Sequence, residues 1–391
     1  MRSECPNCSS GALETFYKVP RVPVHSVLLL KDQREARSFP TGSIALGYCG
    51  VCGFIGNKAF DGSLLNYSRE YEETQGFSPT FNRFHERLAR DLIERHDLHG
   101  KRVIEIGCGK GDFLNMVCAL GDNTGIGFDP SYIPERDSGA GEGRATFVQD
   151  FYSEAYADRV ADFVCCKMTL EHIPNTGAFI RTVRRALDAQ PEALVFFQIP
   201  DTRRVLGEGA FWDVYYEHCS YFSPESLDVL FRRAGFRPLR TWTDYDDQYL
   251  MIEAVPDAPD HDRLPDLTEL RSLVDRFAGT IQGVLTDWRS RLAAWRDRGE
   301  RVVLWGGGSK AVAFVTTLGV GDEIACAVDI NPYKHGSFLA GTGHPVVGPD
   351  ALIADPPDRV IVMNPVYMEE IRRSLDERGL RPALEPITEY A

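Results

Sequence analysis

Short apolar runs alternate with longer stretches in which apolar positions recur every three or four residues, a pattern that predicts a layered α/β protein. Val103-Ile-Glu-Ile106, Gly125-Ile-Gly-Phe128, Thr146-Phe-Val148, Ala161-Asp-Phe-Val-Cys-Cys-Lys167 and Leu194-Val-Phe-Phe-Gln-Ile199 read as buried strands of a parallel sheet. Before them, Phe81, Phe84, Leu88, Leu92 and Ile93 have helical spacing from about Pro79 to Leu98, and Val22 to Leu30 reads as an apolar strand carrying His25. After residue 255 the composition breaks into a Pro- and Asp-rich linker. A long helix follows, with Leu270, Leu273, Phe277, Ile281, Val284, Trp288, Leu292 and Trp295 on one face. Strand, glycine loop and helix then recur at Arg301–Lys310, with further strands at Cys326–Asp329 and near Arg359. Two separate doubly wound sheets are predicted, in three units: 1–62, 63–255 and 256–391.

The first strand runs into Glu105-Ile-Gly107-Cys-Gly109-Lys-Gly111, and a helix is expected to begin near Asp112. Glycines at such a turn admit φ > 0 and let a ligand approach the backbone. An acid inside the strand end and glycines at alternate positions suit a neutral sugar and a sulfonium amino acid better than a pyrophosphate. Asp129 ends the next strand 24 residues after Glu105, where a carboxylate can take both hydroxyls of a ribose. Asp150 and Phe151 follow the third strand, placed to meet an adenine, and Met168 follows the fourth. The glycine stretch resembles motif I of class I S-adenosylmethionine (SAM)-dependent methyltransferases. That resemblance implies a Rossmann-like fold and SAM as cofactor, with Glu105, Gly107, Gly109, Gly111, Asp129, Asp150, Phe151 and Met168 at its site.

The chain has 391 residues and a formal net charge of −14, with no basic block, so nucleic acid and anionic membrane are not expected partners. No apolar run approaches the ~20 residues of a membrane span. The opening Met1-Arg-Ser-Glu-Cys5 lacks the apolar core of a signal peptide, which places the protein in the cytoplasm with reduced thiols. Cys5-Pro-Asn-Cys8 and Cys49-Gly-Val-Cys52 are two knuckles able to offer four thiolates to one tetrahedral zinc. Four thiolates leave no open position, so such an ion is structural.

After the fifth strand, the return across the sheet reads Phe211-Trp-Asp-Val-Tyr215-Tyr-Glu217-His218-Cys-Ser-Tyr221-Phe-Ser223, and Ser223-Pro224-Glu225 then opens a helix. A histidine there is suited to take a proton, with a carboxylate or phenol to orient it. His172, in Leu170-Glu-His-Ile-Pro174, reads instead as lining the methionine end of the cofactor or capping the next helix.

The two cysteine pairs, the glycine motif, Tyr215-Tyr-Glu217-His218 and the second glycine loop together resemble the nucleotide-sugar C-methyltransferases of deoxysugar biosynthesis, over nearly the whole chain. The resemblance implies that His218 is the base, with Tyr215, Glu217 and Tyr71 as companions. It further implies carbon methylation beside a 4-keto group, through an enolate. The substrate would then be a small molecule, its phosphate met by the Gly306–Lys310 loop. Asp246-Asp-Gln-Tyr-Leu250 and Val22-Pro-Val-His-Ser26 depart from the family's usual wording near the acceptor. An O- or N-methyltransferase of another small metabolite shares every SAM feature, and a non-catalytic zinc-bearing assembly protein is countered by the intact Glu105, glycines and Asp129.

Overall fold

The computed structural model describes residues 4–9, 12–136, 139 and 143–388. Its central sheet has seven strands in the spatial order Phe236–Asp244, Tyr249–Pro256, Leu194–Pro200, Phe163–Lys167, Arg102–Ile106, Thr124–Phe128 and Ala145–Val148. Neighbours from Leu194–Pro200 to Ala145–Val148 run parallel, while Tyr249–Pro256 is antiparallel to both of its partners. The winding direction reverses at Arg102–Ile106, which opens a crevice at the carboxyl ends of the strands.

A second, six-stranded sheet has the order Ser337–Phe338, Pro345–Val347, Ala327–Val328, Val302–Trp305, Arg359–Val362 and Ala383–Pro386, and reverses at Val302–Trp305. The chain is thus a mixed α/β protein with two Rossmann-like sheets. A third sheet joins Glu14–Pro23, Thr41–Tyr48 and Ile55–Asn57 to Ser220–Tyr221, a strand arriving from the return loop, with Ile55 opposite Tyr221 and Gly56 opposite Ser220.

The predicted first helix is Pro79–His96: Ser78 accepts the Phe81 N–H at its N-terminus, proline occupies the first turn, and all five predicted apolar residues are buried. The helix opened by Ser223 spans Pro224–Arg233 and carries a reciprocal cap with Ser226. One predicted strand is corrected. The strand ends at Pro23, and residues 24–30 form an irregular segment touching Tyr71 and Phe338 through single bridges. Two prolines, at 20 and 23, remove ladder donors there.

The long helix is Thr268–Asp297, and its buried residues are those predicted except that Val274 and Leu285 replace Leu273 and Val284, which are half-buried. Its aromatic face ties separate sheets together. Tyr17 of the N-terminal sheet meets Phe277 edge-on at 5.2 Å, and Trp288 meets Phe314 of the C-terminal domain edge-on at 5.0 Å. Phe314 in turn stacks on Phe211 of the return loop at 5.7 Å. One apolar cluster therefore runs from the first sheet through the return loop and long helix into the last sheet. Among the described residues no helix is long and apolar enough to cross a membrane.

Trp288 is fully buried at the centre of this cluster. Replacing it by alanine is expected to cost about 3–5 kcal/mol, read as a lowered urea midpoint in a transition shared by the N- and C-terminal units.

Candidate active site

The glycine loop folds as its spacing demands. Gly107, Gly109 and Gly111 have φ of 70°, 54° and 87°. A Cβ on Gly107 would collide with the Thr169 hydroxyl, and one on Gly109 would lie 2.7 Å from Glu73 Oε1. The helix starts at Asp112, and Asp129 braces the loop, its Oδ2 accepting the Gly109 N–H at 2.9 Å. Its Oδ1 accepts the Ser131 N–H and hydroxyl, each at 2.7 Å, so of about four acceptor sites one, on Oδ2, is left for a ribose hydroxyl.

A cavity of about 610 Å³ begins at this loop and extends beneath both large sheets' carboxyl ends. On the first sheet's side it is lined by Gly107, Gly109, Asp129, Asp150, Phe151 and Met168. Met168 takes a left-handed φ of 51°, held by its N–H bonding to Gln198 O at 2.8 Å. The segment before the first helix supplies Tyr67, Tyr71 and Glu73, and the C-terminal sheet supplies Gly306, Gly308, Ser309 and Lys310. That segment is fastened to the C-terminal domain, where the Tyr367 hydroxyl donates to Gln75 at 2.8 Å and Glu370 accepts the Ser78 hydroxyl at 2.8 Å.

Between these walls sit Tyr215, His218, His172 and Glu171. The Tyr215 and His218 rings lie 4.0 Å apart, and His172 meets His218 edge-on at 4.9 Å. Burial, with His172 and Lys310 nearby, drives the His218 imidazole well below its ordinary value, so it is neutral at pH 7. Burial pushes the Tyr71 and Tyr215 phenols well above theirs, keeping both hydroxyls protonated as donors. Glu171, His172 and His218 approach within 4.8 Å. His172 is already committed: its Nδ1 lies 3.0 Å from the Tyr67 hydroxyl, and its ring also bonds the Glu217 backbone.

Residues 81–241 match the model of a methyltransferase domain, and residues 251–380 that of a C-methyltransferase C-terminal domain. The chain is a SAM-dependent methyltransferase, and its last part is similar to the C-terminal domain of C-methyltransferases. The C-methyltransferase NovU of Streptomyces niveus is 27% identical over 306 residues, covering 73% of this chain and 72% of that protein. A ubiquinone biosynthesis O-methyltransferase of Pseudomonas syringae pv. tomato is 33% identical over 27% of this chain and 47% of its own length. Among solved structures, the Burkholderia thailandensis 1,6-didemethyltoxoflavin-N1-methyltransferase superposes with a TM-score of 0.37 at 17% identity, over 46% of this chain and 82% of that one.

In this methyltransferase, nine of the site residues read from sequence line the cavity: Tyr71, Gly107, Gly109, Asp129, Asp150, Phe151, Met168, Tyr215 and His218. Gly111 lies two residues after Gly109, at the N-cap of the helix, its Cβ position closed by Phe147. Glu105 lies beneath the loop and does not reach the cavity wall. It is fully buried and accepts from Lys167 Nζ at 2.7 Å, and it is Lys167 that lines the cavity.

Glu217 turns away from His218. Its carboxylate accepts from His25 Nδ1 at 3.1 Å and from the Ser26 hydroxyl. The Asn66 N–H donates to His25 Nε2 at 2.8 Å, which leaves the ring proton on Nδ1, facing Glu217. Sequence reasoning did not single out Glu73, Lys167 or Glu171. Glu73, pushed up to about 7 by burial against the opposing pull of Lys110, had no local motif to mark it. Glu171 stands beside His172 in a stretch whose spacing gave no sign of which side chain turns inward.

The four cysteines Cys5, Cys8, Cys49 and Cys52 form one buried group, with Cys5–Cys52 and Cys8–Cys49 sulfurs each 3.7 Å apart. Sulfurs about 2.3 Å from a tetrahedral zinc lie about 3.8 Å from each other, so the set fits that ion. Among the described residues no disulfide forms.

Gly107→Ala places a methyl group against Thr169 in a left-handed backbone. At least a tenfold loss of SAM affinity is expected, about 1.4 kcal/mol, measured by calorimetry at a temperature where the variant is fully folded.

Proposed function

We propose that this methyltransferase transfers a methyl group to the carbon beside the ketone of a small nucleotide-linked 4-keto-sugar. The observation that carries the reading is the placement of neutral His218 and the donor Tyr215 in the same cavity as the glycine loop. The glycine loop and Asp129 would hold SAM, which supplies an electrophilic methyl group on a sulfonium. His218 would take the proton from the carbon acid, and a protonated phenol, Tyr215 or Tyr71, would donate to the oxygen where charge develops. The Gly306–Ser309 backbone and Lys310 would face the phosphates of the substrate. NovU, a C-methyltransferase by name, supports carbon rather than a heteroatom as acceptor.

The N-terminal unit would be closed by a structural zinc on its four cysteines, and the reduced thiols fit a cytoplasmic protein. Metal analysis is expected to find one zinc per chain in the native protein and none in Cys52→Ser, with a fall in melting temperature of several degrees.

The reaction is tested without SAM, in heavy water, with nucleotide-linked 4-keto-sugars followed by NMR. Deuterium is expected to enter beside the ketone, and His218→Asn is expected to slow that entry about 10²- to 10⁴-fold. A wild-type protein that binds SAM yet exchanges no keto-sugar would move the assignment to O- or N-methylation of another metabolite.

A further inference from the structure

The reading of His218 as a carbon base raises a question about the imidazolium that forms on it. Its site destabilises positive charge through burial, His172 and Lys310. Glu217, the carboxylate adjacent in sequence, is occupied by His25 and Ser26.

Glu171 is different. It sits in the short turn Leu170–His172, is 2% exposed, and neither carboxylate oxygen has a hydrogen-bond partner among the described residues. Its Oε1 lies 4.0 Å from His218 Nε2. The two are locked together, since the Cys219 N–H donates to the Glu171 carbonyl at 3.0 Å. A buried, unpaired polar group costs about 1–3 kcal/mol, so a carboxyl kept in that state beside an imidazole has a use. We propose that Glu171 is the proton partner of His218, a positioning residue behind the ring that fixes its tautomer and holds the imidazolium. This rests on the carbon-base reading above.

In the chemical step the substrate C–H bond breaks and its electron pair enters the enolate. The proton goes to one nitrogen of His218, while the Nε2–H donates to the Glu171 carboxylate. With SAM bound at the first glycine loop, the enolate carbon would form the C–C bond as the S–CH₃ bond broke, its electron pair staying on sulfur. Glu171 stands behind the His218 ring at the edge of the cavity, each of its oxygens with less than 1 Å² of accessible surface.

The protonation state of Glu171 decides the tautomer. Burial raises its carboxyl to about 8. With the 4.0 Å gap between Oε1 and Nε2 closed by a small side-chain shift, the carboxyl below that pH would donate to Nε2 and leave the proton of the neutral ring on Nδ1, so neither nitrogen would be free to accept. Above it, the carboxylate would accept from Nε2–H and free Nδ1. Of the other groups facing the pair, burial pushes Cys166, Tyr67 and Tyr215 well above their ordinary values and Tyr249 up to about 12. His172 is lowered by burial, and Lys310, also lowered, faces His218 as a cation partnered by Asp213. None of these offers His218 a carboxylate.

The test is the pH profile of deuterium entry, without SAM, from about pH 6 to about pH 9.5. In the wild type the rate is expected to rise with pH through about 8 and then level off. Glu171→Gln is expected to flatten the profile and lower its plateau about 100-fold, with KM changed less than about twofold. Glu171→Asp is expected to keep the rise at an intermediate rate. A rate and profile unchanged in Glu171→Gln, when His218→Asn abolishes exchange, overturns the pairing and leaves the carbon-base reading intact. Absence of exchange in the wild type overturns both. Should Glu171→Gln fail to bind SAM, the wild-type profile decides alone, and a flat one overturns the pairing.

Discussion

Withdrawing a carboxylate from water is costly unless donors meet it, and at Glu217 the donors that do so shape the molecule. Its partners, His25 and Ser26, come from the segment that follows the first strand, nearly two hundred residues away in sequence. Ser26 Oγ also accepts from the Ser309 hydroxyl at 2.8 Å, at the start of the helix behind the second glycine loop. One buried charge therefore ties the return loop to the N-terminal unit and, through a serine, to the C-terminal domain. Three residues further along, Ser220–Tyr221 is paired into the N-terminal sheet. His218 stands between these two anchors. Its position is set by the N-terminal unit as much as by the sheet from which the loop departs.

The two glycine loops obey one geometry with different electrostatics. Asp129 accepts from Gly109, and Asp329 accepts from Gly307, each at 2.9 Å. Both also accept the N–H two residues on, from Ser131 and Asn331. In the C-terminal domain Lys334 Nζ lies 3.2 Å from Asp329 and neutralises it. No lysine is paired with Asp129 among the described residues. The first loop thus keeps an acid for sugar hydroxyls, and the second has lost its negative charge, a surrounding that favours an anion.

What the sequence made legible follows from distance along the chain. Glycine spacing, helix caps and the alternation of strands and helices are local, so the motif around Gly107, the helix Pro79–His96 and the helix after Ser223 were readable. The four cysteines were readable because metal chemistry restricts their spacing to a few patterns. The direction in which Glu217 and Glu105 point was not, because it depends on His25 and Lys167, which only the fold brings near. The apolar stretch after Pro23 looked like a strand because its composition suits one, yet the partner it would need is already paired within the sheet. The Asp246–Tyr249 segment shows the same limit: Tyr245, Asp246 and Asp247 all adopt left-handed φ, and this turn delivers Gln248 and Tyr249 to the cavity.

The aromatic face of the long helix has a consequence for how such a protein can change over time. Tyr17, Phe211 and Phe314 belong to three different units yet share one continuous apolar interior along that helix. Recombination that exchanged the C-terminal domain alone would leave mismatched surfaces on the other two. New acceptors are therefore reached more readily by substitutions on the cavity wall than by shuffling whole domains.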